Sequence, residues 1–238
     1  MTGRKGGAAL LMQRSVDAFF RMDSDGRLVE SNEAFPQPAP RFFVARTSAG
    51  VTSHARRDVP AELVSELIAA AAKLPPLPQT SGVAEVYDQL AARLGTIGPV
   101  TDREIGIGYE FAGPPRPSHP EVIELGEGSD ADELFAPFAA EGAELDPIGP
   151  FFAILRDGAV VSSCYSARLT DLAAEAGVDT DDEYRGRGFA AAVVNAWRVA
   201  IEAGGRTPLY SATDDNTSSR AVARRLGLRQ YAETLWLT

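Results

Sequence analysis

The sequence predicts an α+β fold, in which a smaller α+β region over residues 1–103 precedes a three-layer α/β domain over residues 104–238 with helices flanking a mixed twisted sheet. Three observations predict it. The first hundred residues mix hairpin and helix patterns, whereas the remainder alternates strands with helices. Near this change lies AGPPRPSHPE at residues 112–121, in which five positions are proline or glycine, as is typical of a boundary.

The composition indicates a folded protein. Of the 238 residues, 45% are hydrophobic and 24% are charged, which are globular values. No stretch approaches the roughly 18 consecutive apolar residues of a membrane helix. The basic first residues have too short an apolar run for a secretory signal. We therefore expect a cytoplasmic protein with no membrane partner.

Metal ligands and reactive thiols are scarce. The single Cys164 cannot form an internal disulfide, and His54 and His119 are the only histidines. No Cys/His cluster has metal-ligand spacing, so we expect no metal. Because neither histidine is close to it in sequence, we interpret Cys164 as a buried strand residue and not as a nucleophile.

The first hundred residues predict two hairpins followed by two helices. Asp-Gly at the end of residues 23–26 marks a turn between two short strands, and residues 48–50 mark a second hairpin turn. One helical pattern begins after Pro60, and the next ends at Gly95, its expected C-cap.

The second part predicts alternating elements. They are a strand at 121–126, a helix at 129–142, a hairpin at 150–169 that turns at 156–158, a strand at 173–180, a helix from 189 to Gly204, a strand at 207–213, a helix at 216–227 and a final strand at 228–238. The helix from residue 189 has two expected faces. The first, expected to be buried, carries Phe189, Val193, Trp197 and Ile201, and the opposite face carries Asn195, Arg198 and Glu202.

Charge is divided unevenly along the chain. Residues 184–238 carry eight arginines, no lysine and four acidic residues, a formal charge of +4. Because the whole chain carries -10, the first 183 residues carry -14. This division favours an anionic ligand on one side and a cationic one on the other, unless the two ends are simply different solvated faces. The overall acidity argues against nucleic acid as a partner.

Residues 181–194, DDEYRGRGFAAAVV, join a predicted strand to a predicted helix. A tight glycine turn in this position points free backbone N–H groups and the positive end of the helix at an anion. Gly186 and Gly188 allow a ligand to approach where a side chain would block it. Arg185 and Arg187 add positive charge, so the pattern suits a phosphate or a diphosphate.

Two other nucleotide-binding motifs fit this turn poorly. The dinucleotide fingerprint needs a third glycine where the chain has Ala191, and no second βαβ unit follows. A P-loop would end in Gly-Lys-Ser/Thr, which is absent.

The turn resembles the signature of the GNAT superfamily of acyl-CoA-dependent N-acyltransferases, Q/R-x-x-G-x-G/A at the start of a helix. Residues 183–188 read EYRGRG, and Asn216 and Ser219 precede RAVARRLGL at the spacing of the same superfamily. The order of elements from about residue 104 also agrees. The resemblance implies a GNAT-like fold and acetyl-CoA as cosubstrate.

The resemblance also implies which residues bind the cosubstrate. They are Val178, Asp179, Thr180, Arg185, Gly186, Arg187, Gly188, Phe189, Ala190, Asn216 and Ser219. The backbone of the strand end would bond the pantetheine and polarise the thioester carbonyl, and the amides of residues 185–190 would hold the diphosphate. Asn216 could instead serve only as a helix N-cap. The arginines of the next helix, at 220, 224 and 225, either reach the 3′-phosphate or are solvated.

The chain departs from the superfamily pattern in three ways. Glu183 replaces the first glutamine or arginine, and Ala223 stands where many members place a tyrosine that protonates the departing thiolate. We assign the acid role to Tyr231, while Tyr210, Ser211, Cys164 and unassisted departure stay open. The chain also ends just after its sixth core strand. The usual last strand is therefore absent or supplied by the first hundred residues or by a partner subunit, which leaves a homodimer open.

Acylation of an amine requires removal of a proton from the ammonium. Glu175 lies in the strand before the signature and would share a face with Gly177 and Asp179, so we predict it as the base, directly or through water. The alternative is an exposed or ion-paired carboxylate.

The function predicted for the whole chain is transfer of acetyl from acetyl-CoA to a primary amine in a ternary complex. The negative first part favours a small cationic acceptor, and a lysine-rich peptide or protein amine stays open. A non-catalytic acyl-CoA-binding or sensor module is the alternative that Ala223 permits. FFRMDSDGRLVESNEAF, from residue 19, resembles the start of PAS sensor domains, but a hairpin explains the same residues. We expect residues 1–103 to shape the acceptor site.

Overall fold

A computed structural model describes residues 2–125 and 148–238, so the helix predicted at 129–142 lies outside the described residues. The chain divides into two compact units. Unit 1 comprises Met1–Glu110, Ser211–Thr217 and Gln230–Thr238, and unit 2 comprises Phe111–Tyr210 and Ser218–Arg229. The change of sequence pattern at residue 104 precedes the division by seven residues, and the final strand is counted with the first unit.

The described residues form five helices and eleven strands. The helices are α1 (Thr2–Phe19), α2 (Ala61–Ala71), α3 (Val83–Leu94), α4 (Phe189–Ala203) and α5 (Thr217–Leu226). The strands are β1 (Phe20–Met22), β2 (Leu28–Ser31), β3 (Phe42–Thr47), β4 (Gly50–Ala55), β5 (Arg103–Glu110), β6 (Ile123–Leu125), β7 (Ile148–Arg156), β8 (Ala159–Leu169), β9 (Ala173–Thr180), β10 (Thr207–Thr213) and β11 (Arg229–Leu237). No helix in the described ranges is both long enough and apolar enough to span a bilayer.

Unit 1 begins with a helix that the sequence analysis did not predict. Met12, Val16 and Phe19 of α1 are buried at helical spacing, and the short strand predicted before the turn at residues 23–26 begins only at Phe20. The predicted turn at residues 23–26 is confirmed, since β1 pairs with β2 in antiparallel register. The Arg27 guanidinium fixes this hairpin by donating to the carbonyls of Ala55, Arg56 and Val59.

The strands of unit 1 follow the order β4-β3-β11-β5, with helices on both faces. Phe42 and Val44 of β3 pack with α2 and α3, whereas Phe43 and Ala45 pack with α1, as the alternation of side chains requires. β11 pairs with β3 from Ala232–Thr47 to Leu237–Phe42. The first hundred residues therefore supply the strand beside the last one, which was one of the alternatives left open by the sequence.

A buried polar network crosses the sheet of unit 1. Only 1% of the Arg46 side chain is exposed, and its guanidinium makes two bonds to the Glu233 carboxylate, at 2.8 and 2.9 Å. The Tyr87 hydroxyl donates to the same carboxylate at 2.9 Å. Burial, followed by the neighbouring Glu233 charge, raises the Tyr87 pKa far above its ordinary value. Arg46 also donates to the carbonyls of Pro75 and Gln79.

Unit 2 contains a mixed sheet in the order β10-β9-β8-β7-β6, where Thr207–Tyr210 is the part of β10 that this unit includes. β10 and β9 are parallel, and the remaining neighbours are antiparallel. The hairpin predicted at 150–169 is confirmed, with Asp157 and Gly158 at the turn. Helix α4 packs against this sheet, and the predicted mixed sheet with flanking helices is confirmed.

Both faces of α4 are largely buried. Phe189, Val193, Trp197 and Ile201 are buried as predicted. Asn195 and Arg198 lie on the opposite face, and only 5% and 7% of their surfaces are exposed. The reason is that the proline-rich segment lies along this face, which hydrophobic periodicity alone does not indicate.

We call residues 111–121 the strap. Asn195 accepts a hydrogen bond from the backbone N–H of Arg116 at 2.9 Å and donates to its carbonyl at 3.0 Å. Arg198 donates to the Gly113 carbonyl at 2.6 Å, and its guanidinium lies 5.0 Å from the Phe111 ring centroid. The boundary expected from the proline content is therefore an ordered segment bonded to the helix.

Candidate functional site

The turn between β9 and α4 has the local structure that its glycines predicted. The Asp181 carboxylate accepts a hydrogen bond from the Glu183 N–H at 2.9 Å, and a short 3₁₀ turn spans Asp182–Tyr184. Gly186 and Gly188 then adopt φ angles of 78° and 91°. These left-handed conformations are strained for residues with a β-carbon, so the course of the chain into α4 depends on glycine.

Helix α4 begins at a glycine. Gly188 is the N-cap residue, and among the described residues no side chain caps the first turn. The first N–H groups of a helix have no carbonyl partner within the helix, and the helix dipole adds positive potential. No described atom lies within 4 Å of the position that a β-carbon on Gly186 would occupy. The turn therefore has the open space and donors that a bound anion needs.

Cationic side chains surround the turn. Arg185 pairs with Asp182 at 2.7 Å. The Arg187 guanidinium lies 4.8 Å from the Tyr184 ring centroid. The Arg156 guanidinium lies 5.0 Å from the Phe189 ring centroid and pairs with Glu121 at 2.8 Å. A fourth guanidinium, that of Arg225 on α5, lies against Gly188.

The strand before the turn is paired unequally along its two edges. β8 pairs with β9 along its length, ending at Ser162–Thr180, where the two hydroxyls also bond at 2.8 Å. The parallel ladder with β10 ends at Leu209–Glu175, although β9 continues for five further residues. The backbone of Val178 to Thr180 thus lies beyond the last ladder pair with β10.

Glu175, the predicted base, lies in β9 with 3% of its side chain exposed and forms an ion pair with Arg168. Cross-strand pairs place Tyr165 opposite Gly177 and Ser163 opposite Asp179. Desolvation raises the pKa of the Asp179 carboxyl. Cys164 is fully buried, and burial together with the nearby Asp179 raises its thiol pKa well above the ordinary value, which agrees with a structural role.

Asn216 and Ser219 lie at the start of α5. In unit 1, the N–H of Asn216 donates to the Thr213 carbonyl at 3.2 Å, just before the helix begins. In unit 2, the Ser219 and Tyr210 hydroxyls bond at 2.8 Å. Ala223 of α5 is buried, with 1% exposure, so the position that the superfamily often gives to tyrosine holds a packed methyl group.

Tyr231, the predicted acid, lies in the core of unit 1. It is buried with Met12, Val16 and Ala232, and its hydroxyl shares a short hydrogen bond with Ser15. Its ring occupies the space beside Gly108, where an added β-carbon would lie 2.9 Å from the ring. The structure thus assigns this tyrosine a packing role, while its catalytic role stays a prediction.

Arg116, Arg156 and the strap were not identified as site residues by the sequence, whereas Arg185 and Arg187 were. Arg116 and Arg156 are distant from the signature in sequence and reach it only through the fold. Arg225 was one of three arginines on α5 that the sequence could not distinguish. No local signal would have separated it from Arg224, because the distinction depends on how α5 packs.

In the described ranges, no group of three or more His, Cys, Asp or Glu side chains is arranged to hold a metal ion. The described site therefore consists of backbone donors, cationic side chains and the Glu175–Arg168 pair.

Comparisons with known proteins agree with the signature in the second half of the chain. A family model described as GNAT acetyltransferase matches residues 148–235. The "Uncharacterized N-acetyltransferase YdfB" of Bacillus subtilis is 37% identical over 82 residues, which are 34% of this chain and 31% of that protein. The chain thus spans about a third of this curated relative.

Solved structures similar to the chain include a putative GNAT-family acetyltransferase from Novosphingobium aromaticivorans. It is 27% identical, with a TM-score of 0.46, over 58% of this chain and 65% of that one. A GCN5-related N-acetyltransferase-like protein from Streptococcus suis is 16% identical, with a TM-score of 0.48, over 84% and 85% of the two chains. The turn before α4 lies within residues 148–235, over which the chain is similar to the GNAT acetyltransferase family.

Proposed function

We propose that the protein is an N-acetyltransferase that moves acetyl from acetyl-CoA to a primary amine of a small cationic molecule, by direct transfer in a ternary complex. The observation that carries this proposal is the uncapped N-terminus of α4 behind two left-handed glycines, within the segment that matches the acetyltransferase family. This arrangement suits a diphosphate, the group that joins the adenosine and pantetheine parts of the cosubstrate.

The residues present fit acetyl-CoA. The amides at the start of α4 would hold the diphosphate, with the space at Gly186 open to it. The backbone of β9 beyond Glu175 would bond the amides of pantetheine, since the ladder with β10 has ended there. The cosubstrate supplies an activated acetyl thioester when bound.

Glu175 would take the proton from the acceptor ammonium. Its carboxylate forms an ion pair with Arg168, and the pair must open or relay the proton through water for the carboxylate to act as base. Exchange of Glu175 for glutamine would therefore lower kcat more than it raises KM for the cosubstrate.

The acceptor class is supported by charge. The first 183 residues carry -14, which would attract a cationic amine and lower its effective KM at low salt. Raising the ionic strength should weaken this attraction, so KM for a polyamine should rise with salt more than KM for a monoamine does.

A non-catalytic acyl-CoA-binding module is the second candidate, and Ala223 favours it. Ala223 cannot protonate a thiolate, and Tyr231 is already bonded to Ser15. If the protein is an enzyme, CoA must leave as an unprotonated thiolate or take its proton from water or from another acid.

Release of free CoA thiol with a panel of amines separates the two functions. The full chain is incubated with acetyl-CoA and with mono-, di- and polyamines, and thermal stability is followed in parallel. An enzyme produces thiol in proportion to acetylated amine. Stabilisation by acetyl-CoA with no turnover on any amine would support the binding module, and absence of both effects would contradict the proposed function.

A further inference from the structure

Arg225 occupies a position that is electrostatically unfavourable without a ligand. A β-carbon built on Gly188 would lie 2.5 Å from Nη2 and 2.6 Å from Cζ of Arg225, so the guanidinium touches the N-cap of α4. The N-terminus of a helix carries positive potential, and a cation beside it is repelled. Within residues 2–125 and 148–238, Arg225 forms no ion pair with a carboxylate. An anion bound beside both the guanidinium and the helix end would offset this repulsion.

The strap contacts both α4 and the end of α5. The Arg116 guanidinium donates to the backbone carbonyl of Arg225, and the backbone of Arg116 is held on α4 by both ends of the Asn195 amide. One side chain thus connects α4, through the strap, to the residue whose guanidinium lies over Gly188. The strap lies outside residues 148–235, so this connection is not part of the segment matched by the family.

We infer that Arg225 is a diphosphate ligand, contributed by α5 opposite the amides of α4, and that Arg116 is the residue that positions it. This inference rests on the proposed function, since it takes acyl-CoA as the source of the diphosphate. The bound diphosphate would accept bonds from the α4 amides on one side and from the guanidinium on the other. Arg224, the exposed neighbour on the same helix, contributes none of the three atoms nearest to the added β-carbon at Gly188 and is the matched control.

Binding of acetyl-CoA and of its form without the 3′-phosphate to the full chain, measured by calorimetry, tests the ligand role. We expect Arg225→Ala to weaken both ligands by about 10-fold, the cost of losing one charge-assisted contact. Arg225→Lys should recover part of this loss and Arg224→Ala should change either affinity by less than about 2-fold, because a solvated charge contributes little. The side chain of Arg225 is exposed, so the fold should be retained, which unliganded melting verifies.

If Arg225→Ala weakens the binding of acetyl-CoA but not the binding of the form without the 3′-phosphate, the inference is overturned, because Arg225 would then contact the 3′-phosphate. Equal effects of Arg225→Ala and Arg224→Ala would overturn it as well. If the unmodified protein binds neither ligand, the proposed function itself fails, which is a separate result.

A double-mutant cycle tests the positioning role. Arg116→Ala should weaken the binding of acetyl-CoA by about 3-fold to 5-fold. The double variant Arg116→Ala, Arg225→Ala should bind acetyl-CoA as tightly as Arg225→Ala alone, because Arg116 acts through Arg225. Additive losses would contradict positioning. If Arg116→Ala only destabilised the protein, it would lower the affinity for acetyl-CoA in the Arg225→Ala variant as well. Unchanged affinity in that variant therefore distinguishes positioning from loss of stability.

Discussion

Two arginines, one in each unit, differ in burial and in the partners of their guanidinium groups. In unit 1, Arg46 is almost fully buried, and its guanidinium is satisfied by Glu233 and by two backbone carbonyls. In unit 2, Arg225 is exposed beside the positive end of α4 and has no carboxylate partner in the described part of the chain. A complete set of partners indicates a charge used for folding, whereas an exposed cation beside the positive end of a helix is available to bind an anion. The following exchanges test this distinction.

The largest effect is expected at Glu233. Glu233→Gln would leave Arg46 buried without a counter-charge, and we expect a loss of about 3 kcal/mol in the free energy of unfolding of unit 1. Urea unfolding followed by the fluorescence of Trp236, in the same unit, measures it. Glu66→Gln, which breaks the exposed pair with Arg93 at 2.8 Å, is the control and should cost less than about 1 kcal/mol. Equal losses would show that burial of Arg46 does not matter.

The next effect is expected at Gly188. Gly188→Ala places a β-carbon against Arg225 at a φ of 91°, so we expect acetyl-CoA affinity to fall by about 10-fold or more in addition to a stability loss near 1 kcal/mol. Gly205→Ala is a matched control, because Gly205 follows the other end of α4 at a φ of 76° with no described atom close to the added carbon. The control should lose stability but keep its affinity. A similar loss of affinity in both variants would argue against an anion site at this turn.

A smaller effect is expected at Asn195, a neutral group in unit 2 with complete partners. Asn195→Ala removes two bonds to the backbone of Arg116, and we expect a cost of about 1–2 kcal/mol from the partly buried groups left without partners. Thermal unfolding monitors the change. Val199→Ala, at a position 42% exposed on the same helix, should cost less than about 0.5 kcal/mol.

The smallest effect is expected at Asp58, a surface partner of Arg56. The hydrogen bond from Arg56 lowers the Asp58 pKa below 3.8, so the pair adds stability above the ordinary pKa and loses it as the pH falls through the lowered one. Since 58% of the Asp58 side chain is exposed, Asp58→Asn should cost about 0.5 kcal/mol or less at pH 7. The difference from the unmodified protein, measured by urea unfolding, should shrink as the pH falls through the lowered pKa of Asp58. A constant difference across this range would exclude the ion pair as its cause.

Local patterns predicted most elements of the fold. Both hairpin turns, the strand over 173–180 and the helix from residue 189 follow from glycine positions and apolar spacing, which depend on neighbouring residues. Helix α1 was missed even though Met12, Val16 and Phe19 have helical spacing, because polar residues and glycines precede them. The pairing of β11 with β3 joins residues almost two hundred positions apart, and no local pattern specifies such a contact.

The candidate site was predictable in its backbone and not in its side chains. The conformations of Gly186 and Gly188 follow from residue type and position in a strand–helix turn. The burial of Asn195 and Arg198 depends on the strap, and the placement of Arg225 depends on the packing of α5. Polar side chains that bond a distant backbone have no periodicity that distinguishes them from solvated residues.

The three carbonyls bonded by Arg27 have a consequence for the dynamics of unit 1. The N–H of Arg57 donates to the Leu28 carbonyl at 3.0 Å, so the end of β4 and the start of β2 are connected by backbone and side chain together. We expect these connections to break together, so the first hairpin and the end of β4 should form a single unit in hydrogen exchange. Hydrogen exchange at the Arg57 amide and at the β2 amides would then report one opening free energy. The substitution Arg27→Ala would lower this free energy at both places.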